Sequence, residues 1–323
     1  MAATHTFPER AKSLGINSEE SLLKFLSSLP GVDQIGVEER ASYLATRSIK
    51  NESKRWAIEL ALSMVDLTTL EGADTDGKIR ALCNKGLHPD PFDTTVGRVG
   101  AICVYNDKVK TARTHLDQIG GSDLPVAAVS TAFPSGRASI AVKIQDTRDA
   151  ISDGASEIDM VIDRGAFLSG KYQDVFDEIV TIKSLCGDEV HLKVILETGE
   201  LGSYDTVRKA SYLACLAGAD FIKTSTGKIS PAATAPVVLL MLEAVRDFMS
   251  LSGIQIGVKP AGGIRNTKDA IKQLVLVNEI AGSQWLSPKY FRIGASALVN
   301  DLLMQRMKAQ DGHYASTNYV TLD

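Results

Sequence analysis

The 323 residues carry 35 Lys and Arg against 39 Asp and Glu, a formal net charge of −4, and 44% of them are hydrophobic. That share fits a globular chain with one large core or two small ones and excludes a disordered one. A slightly acidic chain has no global attraction for nucleic acid or an anionic membrane surface, so an anionic ligand has to be met by a local basic cluster in a pocket.

Cys83, Cys103, Cys186 and Cys215 are scattered without a Cys-x-x-Cys spacing, which predicts reduced, buried thiols rather than a metal site or a disulfide framework. The first ten residues lack the apolar run of a signal peptide and no later stretch is long enough to span a bilayer, so a cytoplasmic protein is expected.

In chain order, Asn17-Ser18-Glu19-Glu20 reads as a helix start, with Leu22, Leu23, Leu26 and Leu29 at helical spacing up to Pro30. A second helical pattern runs from Val37 to Ile49. Residues 1–54 carry no chemistry-bearing cluster and are expected to pack as a helical extension against a main domain at 55–310, with a polar tail at 311–323.

From Ser63 onward short apolar runs alternate with helical patterns. The runs are Met64–Leu67, Ala101–Tyr105, Val126–Val129, Ile158–Ile162, Leu192–Leu196, Phe221–Thr224, Ile256–Lys259 and Phe291–Gly294. Between them lie helix-period stretches such as Val175–Leu185, Thr206–Leu216, Val237–Met249 and Asp269–Ile280. Eight strand–helix units predict an α/β chain folded as a (β/α)8 TIM barrel. A doubly wound sheet fits less well, since no Gly-x-Gly-x-x-Gly follows an early strand.

Barrel active sites lie where the strands end, and here those ends are charged: Asp66, Asp159, Lys193, Glu197, Lys223 and Lys259 fall inside or at the end of runs that should otherwise be Val, Ile and Leu. Lysines and aspartates converging on one axis are costly unless paired or partly neutral. That cost suggests covalent catalysis. Desolvation and a neighbouring cation lower a lysine pKa from about 10.4 toward roughly 7 to 8, where the free amine attacks carbonyl groups.

Two loops look like anion cradles beside a lysine: Thr224-Ser225-Thr226-Gly227-Lys228 after Lys223, and Pro260-Ala261-Gly262-Gly263 after Lys259. A third element is Gly294-Ala295-Ser296-Ala297, which leads into a helical pattern at Leu298. Loops after the last two strands and such a helix start form a common phosphate site of this fold, to which Lys228 or Arg265 adds charge.

These stretches resemble the deoxyribose-phosphate aldolases: Val65-Asp66-Leu67-Thr68-Thr69-Leu70, Glu157-Ile158-Asp159-Met160-Val161-Ile162, Leu192-Lys193-Val194-Ile195-Leu196-Glu197-Thr198-Gly199, Phe221-Ile222-Lys223-Thr224-Ser225-Thr226-Gly227-Lys228 and Val258-Lys259-Pro260-Ala261-Gly262-Gly263-Ile264-Arg265. The resemblance runs in unbroken order from about Met64 to Leu303 and includes Ala132-Phe133-Pro134-Ser135-Gly136. It implies reversible cleavage of 2-deoxy-D-ribose 5-phosphate to acetaldehyde and D-glyceraldehyde 3-phosphate, without metal or organic cofactor.

By the same resemblance, Lys223 forms the imine, Lys259 keeps its pKa low, and Asp159 relays protons. Asp66 and Lys193 bind a substrate hydroxyl or orient the charged cluster, and Thr224, Gly227, Lys228, Gly262, Gly263, Gly294 and Ser296 bind substrate. Ala297 departs from a pattern that often has a second serine there, leaving its backbone N–H to bind. Some bacterial members use a C-terminal tyrosine as a proton shuttle, but here neither Tyr314 nor Tyr319 is the last residue, and a polar frayed tail is expected ahead of a shuttle. Cys103 is near a thiol that unsaturated aldehydes attack in some relatives, but it is expected to be buried as a small hydrophobe. Homodimerisation is an expectation by analogy. Rival readings keep the barrel with a ketose donor, as in transaldolase or fructose-bisphosphate aldolase, or make the chain a scaffold that binds through its N-terminal helices.

Overall fold

The computed structural model describes residues 6–313. Eight strands are each followed by helix: β1 (Val65–Thr68), β2 (Ala101–Tyr105), β3 (Val126–Ser130), β4 (Glu157–Val161), β5 (His191–Ile195), β6 (Phe221–Lys223), β7 (Gly257–Lys259) and β8 (Ile293–Ala295). All pair in parallel in the order β7-β6-β5-β4-β3-β2-β1-β8. Bridges Val258–Phe291 and Ala261–Gly294 join the two ends of that order, so the chain folds as a (β/α)8 barrel.

Two-residue alternation divides every strand between two environments. Val65 and Leu67, Ile102 and Val104, Ile158 and Met160, Leu192 and Val194, Ile222, Val258 and Ile293 all pack in the main hydrophobic core between sheet and helices. The alternate positions face the barrel axis. On β2 and β3 these are small or apolar, and Cys103, Ala127 and Val129 pack with Leu70, Tyr105 and Phe133 in a separate cluster. On the other strands they include the charged Asp66, Glu157, Asp159, Lys193, Lys223 and Lys259, and glycine where space is short: a Cβ on Gly257 would come within 2.3 Å of the Phe221 ring.

The helices begin and end on local signals. Ser18 and Ser203 form capping boxes with Ser21 and Thr206, Thr75 and Asn266 accept an N3 amide, and Gly187, Gly218 and Gly253 stop three helices. The helix Ala235–Ser252 buries every residue from Val237 to Val245 because the N-terminal helix Gln34–Ala45 covers its outer face. Arg40 to Glu243 (2.6 Å) and Arg47 to Glu279 (3.1 Å) pin that cover.

The second N-terminal pattern, expected to reach Ile49, ends at Ala45. Thr46 and Arg47 donate to carbonyls three residues back, which tightens the last turn and ends the helix. A new helix, Asn51–Ser63, then runs unbroken across residues 54 and 55 into β1. The last strand also sits later than expected, at Ile293–Ala295, with Phe291 only bridged to Val258. No helix among the described residues is long and apolar enough to cross a membrane.

Candidate active site

Strand register builds the site. Asp159 on β4 lies beside Lys193 on β5, Ile195 beside Lys223 on β6, and Lys223 beside Lys259 on β7, while Asp66 on β1 pairs with Gly294 on β8. Sequence positions nearly 200 apart thus meet on one axis, and Asp66, Asp159, Lys193 and Lys259 are wholly buried.

Asp159 is the hub. Its Oδ2 accepts hydrogen bonds from Lys223 Nζ (2.8 Å) and Lys259 Nζ (2.7 Å), and its Oδ1 from Lys193 Nζ (3.1 Å). Asp66 Oδ2 is ion-paired with Lys259 (2.5 Å), and its Oδ1 accepts from Arg292 Nη1 (2.7 Å). Lys193 also donates to Glu157, whose other oxygen accepts from Arg292 Nη2 (3.0 Å). Three carboxylates therefore share four basic groups, and the charges balance when one base is neutral.

The electrostatics single out which one. Burial lowers the Lys223 pKa below its ordinary value; the Asp159 carboxylate opposes it, the Lys259 cation adds a smaller push downward, and the net shift stays downward. Burial also pulls on Lys259 and Lys193, but Asp159 with Asp66 or Glu157 overcomes it, so Lys259 is raised well above the ordinary range and Lys193 is raised. Burial would raise Asp159, yet Lys193, Lys223 and Lys259 hold it well below the usual carboxylate range. Lys223 is thus the amine that reaches its free form most readily, beside a carboxylate that stays ionised.

Above this cluster opens a cleft of about 560 Å3. Lys223 is part of its floor, and Gly227, Lys228, Gly262, Gly263, Arg265, Gly294, Ser296 and Ala297 line it together with Thr68, Thr69, Leu70, Glu71 and Lys78. Lys223 and the three glycine-bearing loops expected from the sequence therefore meet in this cleft, while Asp66, Asp159, Lys193 and Lys259 are buried beneath it and do not line it. Gly227, Gly262 and Gly263 have φ of 81, 84 and 88°, a region that favours glycine, and a Cβ on Gly262 would come within 2.6 Å of Ala232 Cβ. Ser296 and Ala297 precede the helix Leu298–Asp311, whose first turn has no side-chain cap.

Thr224 is placed differently. It is fully buried, its Oγ1 accepts from Ala261 N–H (2.9 Å) and donates to Ala261 O (3.2 Å), and it stitches the β6 and β7 loops together without reaching the cleft lining. Ser225 donates to the same carbonyl at 2.6 Å. Glu197 receives Thr226 N–H and Oγ1 (2.6 Å to the hydroxyl), and Thr226 Oγ1 in turn accepts Lys228 N–H at 3.1 Å, so a buried carboxylate shapes the loop that presents Lys228.

Sequence reasoning passed over Glu157 and Arg292. Both were legible from alternation, since each stands two residues before an axis-facing position, Asp159 and Gly294. Cys103 faces the axis among apolar neighbours, and burial pushes its thiol pKa up. Tyr314 and Tyr319 lie outside the described residues. No group of three His, Cys, Asp or Glu suited to holding a metal ion occurs among the described residues.

Comparison with known proteins places these observations in a family. Residues 60–303 match the family described as DeoC/LacD family aldolase. The chain is 42% identical to deoxyribose-phosphate aldolase from Mus musculus over 294 residues, 88% of this chain and 92% of the relative. It is 43% identical to that of Homo sapiens over 280 residues, 84% and 87%. Among solved structures it is similar to a putative deoxyribose-phosphate aldolase from Coccidioides immitis (27% identity, 84% of this chain and 98% of the other, TM-score 0.63). It is also similar to one described as QR15, an aldolase (30%, 76% and 97%, TM-score 0.60). With its barrel matched almost end to end, this chain belongs to the DeoC/LacD aldolases, the family of the deoxyribose-phosphate aldolases it resembles.

Proposed function

We propose that this aldolase reversibly cleaves 2-deoxy-D-ribose 5-phosphate to D-glyceraldehyde 3-phosphate and acetaldehyde through a Schiff base on Lys223. The observation that carries the reading is the Lys223 amine itself: buried at the floor of the cleft, depressed in pKa, and 2.8 Å from an ionised carboxylate. The relatives named for the same substrate support it.

The free amine adds its lone pair to C1 of the open-chain sugar, and loss of water leaves a protonated imine. A base takes the proton of the C3 hydroxyl, the C2–C3 electrons move into the imine, and glyceraldehyde 3-phosphate leaves an enamine behind. Protonation at C2 and hydrolysis release acetaldehyde and restore Lys223. Asp159, within 2.8 Å of the amine, moves protons at the nitrogen and the departing hydroxyl, through a water where the span requires one. Lys259 remains cationic, keeping Lys223 poised, while Asp66 holds Lys259 in place. Lys228, the glycine-lined loop backbone at Gly227, Gly262 and Gly263, and the helix start after Ser296 receive the phosphate.

Borohydride reduction in the presence of 2-deoxyribose 5-phosphate tests the reading. A mass increase mapped to the peptide bearing Lys223, lost in Lys223→Ala, is the expected result. A protein that cleaves the sugar with no lysine adduct rules out the imine, and one that neither reacts nor cleaves rules out the substrate.

A further inference from the structure

The mouth of the cleft already contains an anion. Lys228 Nζ, on the loop after β6, is ion-paired with Glu71 Oε1 on the loop after β1 at 2.9 Å, and both residues line the cleft. Glu71 is held there by its backbone, since its N–H donates to Asp74 Oδ2 (2.9 Å). The Asp74 carboxylate is itself fixed by the Thr69 hydroxyl (2.9 Å) and Lys78 Nζ (2.8 Å). Three cations therefore surround this end of the cleft, Lys78, Lys228 and Arg265, against two carboxylates, Asp74 and Glu71. The Asp74 carboxylate is packed away at 3% exposed, whereas the Glu71 side chain is 64% exposed.

Resting on the phosphorylated substrate proposed above, we propose that Glu71 is an internal competitor for the phosphate subsite and sets how strongly the cleft prefers phosphorylated over unphosphorylated sugars. A phosphate group reaching Lys228 shares that ammonium with the Glu71 carboxylate or displaces it, and meets its charge nearby in either case. The subsite counts one net positive charge with Glu71 ionised and two with it neutral. A phosphate monoester carries about −1.5 to −2 at neutral pH, so the neutral form is the closer complement. An unphosphorylated sugar brings no charge to this end and does not compete with Glu71.

The test is Glu71→Gln, which keeps shape and backbone bonding and removes the charge. The ratio of KM for 2-deoxyribose 5-phosphate to KM for 2-deoxyribose should fall about two- to fivefold, the range expected from a partly exposed ion pair. The shift should shrink in high salt. Inorganic phosphate, titrated calorimetrically, should bind the variant more tightly by a similar factor, and this gain should be largely lost in Glu71→Gln combined with Lys228→Gln. An unchanged KM ratio, or a phosphate affinity that stays the same or falls, overturns the proposal. Calorimetry needs no turnover, so a wild-type protein that failed to cleave the sugar would count against the reaction proposed above while the phosphate affinities still decide the part played by Glu71.

Discussion

Lys223 and Lys259 stand side by side on adjacent parallel strands, and their amines reach the same oxygen, Oδ2 of Asp159, at 2.8 and 2.7 Å. One carboxylate oxygen cannot neutralise two ammonium groups. Asp66 gives Lys259 a second anion that Lys223 lacks, so the proton is held on Lys259 and released from Lys223. The asymmetry between two chemically identical side chains comes from one strand, β1, which lies on the Lys259 side of the barrel.

Lys259→Met should therefore raise the pKa of Lys223, because a repelling cation goes and Asp159 is left to stabilise the ammonium. Each unit of that rise leaves about tenfold less free amine at neutral pH. Imine formation, followed by borohydride trapping across pH, should drop at pH 7 and recover as the pH climbs. A variant with an unaltered pH profile would remove Lys259 from this role.

Arg292 bridges Asp66 and Glu157 at 2.7 and 3.0 Å beneath the reacting groups. Arg292→Leu leaves two buried carboxylates short of a partner and should cost about 3–5 kcal/mol in urea unfolding. Arg292→Lys should recover only part, since an ammonium cannot present the planar fork that spans both anions. Equal stability of the lysine variant and the native protein would contradict this account.

Gly294 makes room for the cluster. A Cβ there would meet Ala261 Cβ at 2.9 Å and Lys259 Cε at 3.3 Å. Gly294→Ala should cost about 1–3 kcal/mol of stability and displace the Lys259 ammonium. A loss of kcat of roughly tenfold or more is expected, with a crystal structure of the variant locating Lys259. Native kcat in that variant would mean the loop yields instead.

The pH dependence of stability follows from the same charges. Asp66, Glu157 and Asp159 all have folded pKa values below their ordinary 3.8, 4.5 and 3.8. Their contribution is complete above those ordinary values and is lost as the pH falls through the folded ones, so Tm should decline steadily below about pH 4.5. Lys193 and Lys259, raised, contribute fully below 10.5 and lose that contribution as the pH rises past their folded values. Lys223, lowered, has the opposite sign: its burial costs stability while it is protonated, and the cost is relieved as the pH climbs. Lys223→Met should accordingly be inactive and as stable as the native protein or more so at pH 7, with the gain shrinking at higher pH. A clear loss of Tm would show that the amine supports the fold.

Local sequence was enough to announce the barrel. Eight apolar runs alternating with helical patterns admit few other arrangements, and a charge inside such a run stands out because parallel strands otherwise bury apolar side chains on both faces. Lys223, Lys259, Lys193, Asp159 and Asp66 were visible for that reason. Glu157 and Arg292 were legible from the same alternation but passed over: Glu157 stands just before the run Ile158–Ile162 and reads as its boundary, and Arg292, inside the short run Phe291–Gly294, takes its meaning only when register places it on the axis.

Only the closed sheet decided the rest. Which lysine loses its proton depends on which strand neighbours which, and that is a property of β1, β4, β6 and β7 meeting around one axis. Thr224 looked like a ligand group in a polar loop, yet packing of the β6 and β7 loops turned its hydroxyl onto Ala261. The pairing of Lys228 with Glu71 spans 157 residues of sequence, and no local pattern encodes it. Periodicity is a short-range property and determined the elements; electrostatic pairing acts through space and was set by the barrel that brings their ends together.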